Sequence, residues 1–102
     1  MEKRVIKIDK KTVKEYNRFL RHGKIYPADG RGAIETWTAD FGDGYAVDIS
    51  VCADADSRLY IDYGLVKNGS GVTFGCEPVD QLDGEYWFWV GNKEYVVEVV
   101  AA

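Results

Sequence analysis

The stretch "YAVDISVCADAD" (residues 45–56) carries the clearest fold signal in the chain. Apolar Val47, Ile49 and Val51 fall on one side of an extended chain, and Asp48 and Ser50 fall on the other. This period of two is typical of a β-strand with one buried face. The pattern therefore predicts a strand that displays a carboxylate to water, because an unpaired carboxylate is costly to bury.

The segments around this stretch extend the pattern into a series of strands. Apolar or alternating runs cover residues 33–41, 58–66, 72–79, 85–90 and 93–100, and turn signals rich in Gly, Asn and Asp separate them. Short connections favour antiparallel pairing of neighbouring strands. The alternation predicts that these side chains point inward: Val47, Ile49, Val51, Leu59, Ile61, Tyr63, Leu65, Tyr95, Val97 and Val99. It predicts that these point outward: Asp48, Tyr60, Asp62 and Glu98.

The N-terminal third differs from the rest. Residues 3–8 predict a short strand, and residues 10–22 predict a helix that begins after a cap at Asp9 or Thr12 and ends at Gly23. On a helical wheel, one side carries the apolar residues Val13, Tyr16, Phe19 and Leu20. The opposite side carries the basic residues Lys11, Lys14, Arg18 and Arg21. The helix is therefore amphipathic, with an apolar side for packing and a basic stripe.

These elements predict an α+β fold in a single domain over residues 1–102. The N-terminal helix (about 10–22) is followed by a loop (23–32) and packs on a curved antiparallel meander of five to six strands (33–100). The alternative is a partly closed small β-barrel. A chain of 102 residues is the usual size of one domain and can bury a core without a metal or disulfide.

Composition and charge narrow the class of protein. The net charge of −4 is unevenly spread: residues 1–31 have a balance of +6 and residues 32–102 have a balance of −10. No apolar run approaches the roughly 20 residues of a membrane helix, and the N-terminus has no apolar block of signal-peptide length. We therefore expect a cytoplasmic protein without a membrane partner, in which Cys52 and Cys76 are reduced thiols.

The chemical motifs predict neither an enzyme nor a cofactor or metal site. Asp54-Ala55-Asp56-Ser57 resembles the start of a calcium loop, but Arg58, Leu59 and Leu65 stand where the loop needs an oxygen ligand, glycine and glutamate. Asp40-Phe41-Gly42 lacks the other motifs of a kinase. The single histidine, His22, suits the end of a helix, and nothing in the spacing brings a cysteine to it.

The run "EYWFWV" (85–90) has two apolar faces, with Trp87 and Trp89 on one and Tyr86 and Phe88 on the other. One set belongs to the core. The other set is covered by the helix, enclosed in a barrel, or exposed as a binding patch. We expect it to be covered, because a strand buried on both faces explains the run without a partner.

The segments "TWTADFGDGYAVDISVCAD" and "LDGEYWFWVGNKEYVVEVV" resemble small uncharacterised proteins of phages and conjugative elements of gut bacteria. The shared features are a W-T-A-x-F-x-D-G stretch, a strand ending in "DISVC" and a closing "LDGEY…V…KEYVVEVV". The resemblance covers about two-thirds of the chain and lacks a catalytic motif. It implies a setting among the accessory genes of mobile elements, some of which encode inhibitors of host defence such as anti-CRISPR proteins.

Three functional hypotheses follow. The first is a non-enzymatic interaction protein that presents an acidic sheet face to a basic surface of a host protein, through Asp40, Asp43, Asp48, Asp54, Asp56 and Asp62. The second is a nucleic-acid-binding protein that uses the basic stripe of Lys11, Lys14, Arg18 and Arg21. The third is a small-molecule-binding barrel. We expect a monomer, or a homodimer if the final strand is an exposed edge that pairs with its copy.

Overall fold

One helix and two four-stranded sheets form the fold in the computed structural model, which describes residues 1–27, 32–73, 75–76 and 80–102. The elements in chain order are β1 (Glu2–Ile8), α1 (Lys10–His22), β2 (Gly32–Gly42), β3 (Tyr45–Ala53), β4 (Leu59–Lys67), β5 (Ser70–Thr73), β6 (Gly75–Cys76), β7 (Gly84–Val90) and β8 (Lys93–Ala101). The α+β class is confirmed. Residues 28–31 of the predicted loop lie outside the described residues.

Helix α1 has the predicted bounds and caps. Asp9 is the N-cap, because its Oδ2 accepts a hydrogen bond from the backbone N–H of Thr12 at 3.2 Å. Gly23 ends the helix in the left-handed conformation, at φ +58°, and donates its N–H to the carbonyl oxygen of Phe19 at 3.0 Å. Glycine suits this position because a side chain would be strained at positive φ.

The prediction of one continuous meander or a partly closed barrel is wrong. Strands β2, β3, β4 and β5 are adjacent in that order and form the second sheet, whereas the first sheet has the order β1-β8-β7-β6. The first sheet gains β1, which pairs in parallel with β8 from Glu2 opposite Tyr95 to Ile8 opposite Ala101. Neither sheet is closed. The physical reason is that the two sheets bury their apolar faces against each other.

The core lies between the inner faces of the two sheets. Phe41 and Tyr95 meet edge to face, with 5.1 Å between ring centroids, and Tyr63 meets Phe88 at 5.9 Å. Val47 and Val97, from opposite sheets, are fully buried in the same cluster. Since β-branched and aromatic side chains pack well on a pleated surface, these strands form where their apolar faces have a partner.

The helix contributes one end of this core. Val13 and Tyr16 are buried in it, and Leu20 packs against it. The Tyr16 ring lies edge-on to Trp37 of β2, with 6.2 Å between centroids, and its hydroxyl donates to Glu35 Oε1 at 2.8 Å. The helix therefore packs on the second sheet, as predicted. The first sheet also packs on the second sheet.

The predicted directions of the strand side chains are confirmed. The inward set is buried or packs against the core, and in the outward set Tyr60 and Asp62 are exposed while Asp48 and Glu98 are partly exposed. In the β2–β3 hairpin, Asp43 (φ +52°) and Gly44 (φ +82°) are both left-handed, as a two-residue turn between twisted strands requires.

Candidate functional site

The outer face of the second sheet carries the two central aspartates of the predicted acidic surface. Strand pairing places Thr38, Asp48 and Gly64 in one row across β2, β3 and β4. The next row contains Thr36, Ser50 and Asp62. Asp48 and Asp62 are thus diagonal neighbours on adjacent strands. The Cα atoms of such neighbours lie about 7 Å apart in a regular ladder. We call the surface formed by these two rows of residues the acidic face.

Hydroxyl groups orient the acidic face. The Thr38 hydroxyl donates to Asp48 Oδ1 at 2.7 Å, and the Thr36 and Ser50 hydroxyls share a hydrogen bond of 2.7 Å. A carboxylate that accepts a hydrogen bond from the neighbouring strand loses rotamer freedom before any partner arrives. Binding through Asp48 therefore costs less side-chain entropy than binding through a freely rotating carboxylate.

Gly64 creates a depression in the acidic face. It lies opposite Asp48 in the ladder, and a Cβ built on it would have no other atom within 4 Å. The resulting depression has a volume of about 180 Å³. It is lined by Asp48, Ser50, Asp62, Tyr63, Gly64 and Val66. It is small and lined by two carboxylates, so it suits the head group of a lysine or arginine side chain.

The other four predicted aspartates lie at the two ends of the second sheet. Asp40 and Asp43 are at the β2–β3 hairpin, and Asp54 and Asp56 are in the β3–β4 turn. The nine residues of β3 separate these ends by roughly 30 Å. The structure thus distributes the six carboxylates along the sheet rather than in one cluster.

Two of these end aspartates have structural roles. Asp54 Oδ1 accepts hydrogen bonds from the backbone N–H groups of Asp56 and Arg58, at 2.8 and 2.9 Å, and so organises the β3–β4 turn. Asp40 Oδ1 accepts from the backbone N–H of Gly42 at 2.8 Å. The Arg58 guanidinium also donates to the carbonyl oxygen of Gly23, which ties this turn to the end of the helix.

Cys52 lies on the same outer side, opposite Tyr60, and is buried with a free thiol. Burial raises the pKa of the Cys52 thiol, and the nearby charge of Asp62 acts in the same direction. A raised pKa keeps the sulfur protonated and therefore poorly nucleophilic. The side chain of Cys76 lies outside the described part of the chain, so its reduced state stays a prediction.

The basic residues of the helix are all exposed, as predicted. Lys14, Arg18 and Arg21 line a groove of about 510 Å³ between α1 and the ends of the first sheet. Lys11 lines a second depression, of about 280 Å³, together with Lys14, Glu15 and Arg18. Lys14 and Arg18 therefore border both surfaces, whereas Lys11 borders only the second depression and Arg21 only the groove.

The outer face of the first sheet corrects the prediction for the aromatic run. Tyr86 and Phe88 are fully buried, whereas Trp89 is 42% exposed and Trp87 is partly exposed. The two indoles stack on each other, with 6.3 Å between ring centroids. Neither the helix nor a barrel wall covers this face, because the helix packs on the second sheet instead.

The final strand β8 is not an exposed edge. It lies between β1 and β7, and Val96 and Val97 are both fully buried. The proposed route to a homodimer through this strand is therefore wrong, because β1 already occupies the pairing edge. No local sequence pattern predicts this pairing, because it joins strands at opposite ends of the chain.

No protein-family model, curated protein or solved structure matches this chain. The resemblance to proteins of mobile elements therefore rests on the quoted residues and stays a prediction. Within the described ranges, no helix is long and apolar enough to cross a lipid bilayer. The same residues contain no group of three or more His, Cys, Asp or Glu side chains placed to hold a metal ion.

Proposed function

We propose that this protein is a non-enzymatic interaction protein whose acidic face binds a basic surface of a host protein. The observation that carries the proposal is the pair of carboxylates, Asp48 and Asp62, on the solvent side of adjacent central strands above the depression at Gly64. A lysine or arginine side chain placed there would meet both carboxylates. Arginine would also gain directional hydrogen bonds from its planar guanidinium.

The spacing of the carboxylates supports competition with nucleic acid. The six aspartates extend along roughly 30 Å of the second sheet, with the central pair held on regular strands. Such a row of fixed negative charges resembles a row of phosphates to a basic groove, since Arg and Lys bind carboxylates and phosphates by the same charge-assisted hydrogen bonds. An inhibitor of host defence encoded by a mobile element would act in this way if its target were a nucleic-acid-binding protein.

The described strands do not support a small-molecule-binding barrel, because neither sheet is closed. Such a barrel requires an enclosed interior, and the space between the described strands is filled by buried side chains such as Val47, Leu65 and Phe88. The depressions beside Gly64 and along the helix lie on the surface.

The test begins with a pull-down from the lysate of the native host at two salt concentrations. A partner captured at low salt and lost at high salt is expected, because exposed charges are screened within about 10 Å at 0.1 M salt. The affinity of the purified partner is then measured for the wild type and for the double variant Asp48→Asn and Asp62→Asn. Hydrogen bonds between charged groups contribute about 1.5–3 kcal/mol each, so we expect a loss of at least about tenfold.

The matched control is the double variant Glu15→Gln and Asp80→Asn, which removes two negative charges from exposed positions outside the acidic face. The control should bind like the wild type. An equal loss of affinity in both double variants would show that only the net charge matters. An unchanged affinity of the Asp48 and Asp62 variant would remove the acidic face as the binding site.

A further inference from the structure

We propose that the groove between α1 and the first sheet binds the phosphate backbone of single-stranded nucleic acid. One wall is formed by helix residues and the other by Asp83, just before β7, and Ala101 at the end of β8. The basic residues that line it are Lys10, Lys14, Arg18, Arg21 and His22. We call this surface the basic groove. It is distinct from the acidic face, and the two proposals are independent.

The spacing of the cations matches a linear polyanion. Lys10, Lys14 and Arg18 follow one another at intervals of four residues, which corresponds to about 6 Å along the helix axis. Arg21 continues the row one turn further on. The four side chains thus form a continuous line of positive charge along nearly the whole helix, rather than a compact cluster suited to a single anion.

Within the described part of the chain, no ion pair neutralises a basic side chain of the basic groove. Among the described residues, every ion pair lies on the first sheet: Lys3 with Glu85 and Glu98, and Lys93 with Glu2. Arg21 donates to the amide oxygen of Gln81 at 3.1 Å, a contact that positions the guanidinium without cancelling its charge. A chain with a net charge of −4 therefore keeps a local row of cations without a carboxylate ion pair.

The one carboxylate of the groove is already engaged. Asp83 Oδ1 accepts a hydrogen bond from Asn17 Nδ2 at 2.8 Å, and Asn17 Oδ1 accepts from the backbone N–H of Leu82 at 2.7 Å. Asn17 is buried in the floor of the groove beside Val13. Both polar ends of its amide are therefore used to hold the loop before β7 against the helix, and neither is directed at a ligand.

The lining of the basic groove decides between classes of nucleic acid. Its described floor offers Val13 and a satisfied amide, so base edges would find no free polar group to read and binding would be independent of sequence. A single strand can enter a recess of about 510 Å³, whereas a rigid duplex would touch only the rim. The one aromatic ring among the described lining residues is the imidazole of His22 at the end of the helix, so affinity would come mainly from phosphate contacts.

The experiment measures the fluorescence anisotropy of a short labelled oligothymidine as the intact protein is added, over a series of salt concentrations. Single strands release about 0.7 counterion per phosphate contact, so four contacts predict a slope of roughly −3 in a plot of log K against log salt concentration. The double variant Lys14→Gln and Arg18→Gln should bind about tenfold more weakly or worse at low salt, with a slope of roughly −1.5. Glutamine is a good helix former, so the helix should persist, as circular dichroism will verify.

The matched control is the double variant Lys7→Gln and Lys67→Gln, which removes two exposed cations from other surfaces. It should bind the oligonucleotide like the wild type. The proposal fails if the wild type does not bind at low salt, if both double variants lose affinity equally, or if a duplex of the same length binds as tightly. The Asp48 and Asp62 variant should keep its affinity for the oligonucleotide, so that failure of one proposal leaves the other standing.

Discussion

At the scale of the residue, Tyr16 connects the helix to the second sheet. It is buried, its ring contacts Tyr26 and Trp37, and its hydroxyl donates to Glu35 Oε1. Burial raises the pKa of the Tyr16 hydroxyl, and the hydrogen bond to the Glu35 carboxylate raises it further. The folded protein therefore holds this proton at a pH at which the unfolded chain releases it.

This shift predicts a loss of stability at alkaline pH. Because the pKa is higher in the folded state, the contribution of Tyr16 to stability is complete below the unfolded value of about 10 and decreases as the pH rises above it. Tyr16→Phe should lower the free energy of unfolding at pH 7 by about 1 kcal/mol through the lost hydrogen bond. The variant should also lose less of its free energy of unfolding than the wild type as the pH rises above about 10.

Urea titrations at neutral and alkaline pH measure both effects. Glu35→Gln is the companion variant, because it keeps an acceptor for the Tyr16 hydroxyl and removes the negative charge. Its loss of unfolding free energy at alkaline pH should lie between those of the wild type and Tyr16→Phe. Identical declines in all three proteins would mean that Tyr16 does not control alkaline stability.

At the scale of the element, β1 shows how one short strand serves two surfaces. Ile6 is 8% exposed and packs in the core, while its neighbour Val5 points outward and is 51% exposed. The backbone of both residues pairs with β8. The two positions therefore separate the contribution of core packing from that of strand pairing.

Ile6→Ala should lower the free energy of unfolding by about 2–4 kcal/mol, because it removes buried methyl groups and leaves a cavity. Val5→Ala should change it by less than about 0.5 kcal/mol, as is usual for exposed positions. Chemical denaturation monitored by circular dichroism gives both values. Equal losses at the two positions would contradict the assignment of the inner face of β1.

The elements themselves were largely predictable, and their pairing was only partly so. The helix from Lys10 to His22, its Asp9 and Gly23 caps and the hairpin at Asp43-Gly44 follow from local residue preferences, which act over a few positions. The pairing of β1 with β8 joins opposite ends of the chain, and no local pattern specifies it. The rule that short connections give antiparallel neighbours says nothing about its direction, because nearly the whole chain lies between the two strands.

At the scale of the whole molecule, the two sheets share one core. The contacts of Phe41 with Tyr95 and of Tyr63 with Phe88 join side chains from different sheets, and β1 and β2 are linked by a hydrogen bond from Arg4 Nε to the carbonyl oxygen of Asp40. Neither sheet can bury its apolar face alone. The protein should therefore unfold in a single cooperative transition.

Tryptophan fluorescence can test this cooperativity sheet by sheet. Trp37→Phe leaves Trp87 and Trp89 as reporters of the first sheet, and the double variant Trp87→Phe and Trp89→Phe leaves Trp37 as the reporter of the second. In each variant the fluorescence midpoint in urea should coincide with the midpoint from far-ultraviolet circular dichroism. Separate midpoints within one variant would show that the sheets unfold independently.

The candidate sites were predictable only in part, because they also depend on contacts between segments that are distant in sequence. Alternation in β3 and β4 placed Asp48 and Asp62 on the outside, because side chains in a strand alternate whatever the strand pairs with. The Thr38 contact and the depression at Gly64 depend on which residues face each other across strands. The second wall of the basic groove, Asp83 and Ala101, comes from segments far from the helix in sequence.

The sequence by itself determined the identity of the elements and which side chains share one face of a strand or helix, since propensity, capping and periodicity are local properties of the backbone. Only the tertiary structure decided that eight described strands form two sheets, that β1 closes the edge beside β8, and that Trp87 and Trp89 face outward. These outcomes depend on which apolar surfaces find each other when the chain collapses. That choice balances burial against chain entropy over the entire molecule.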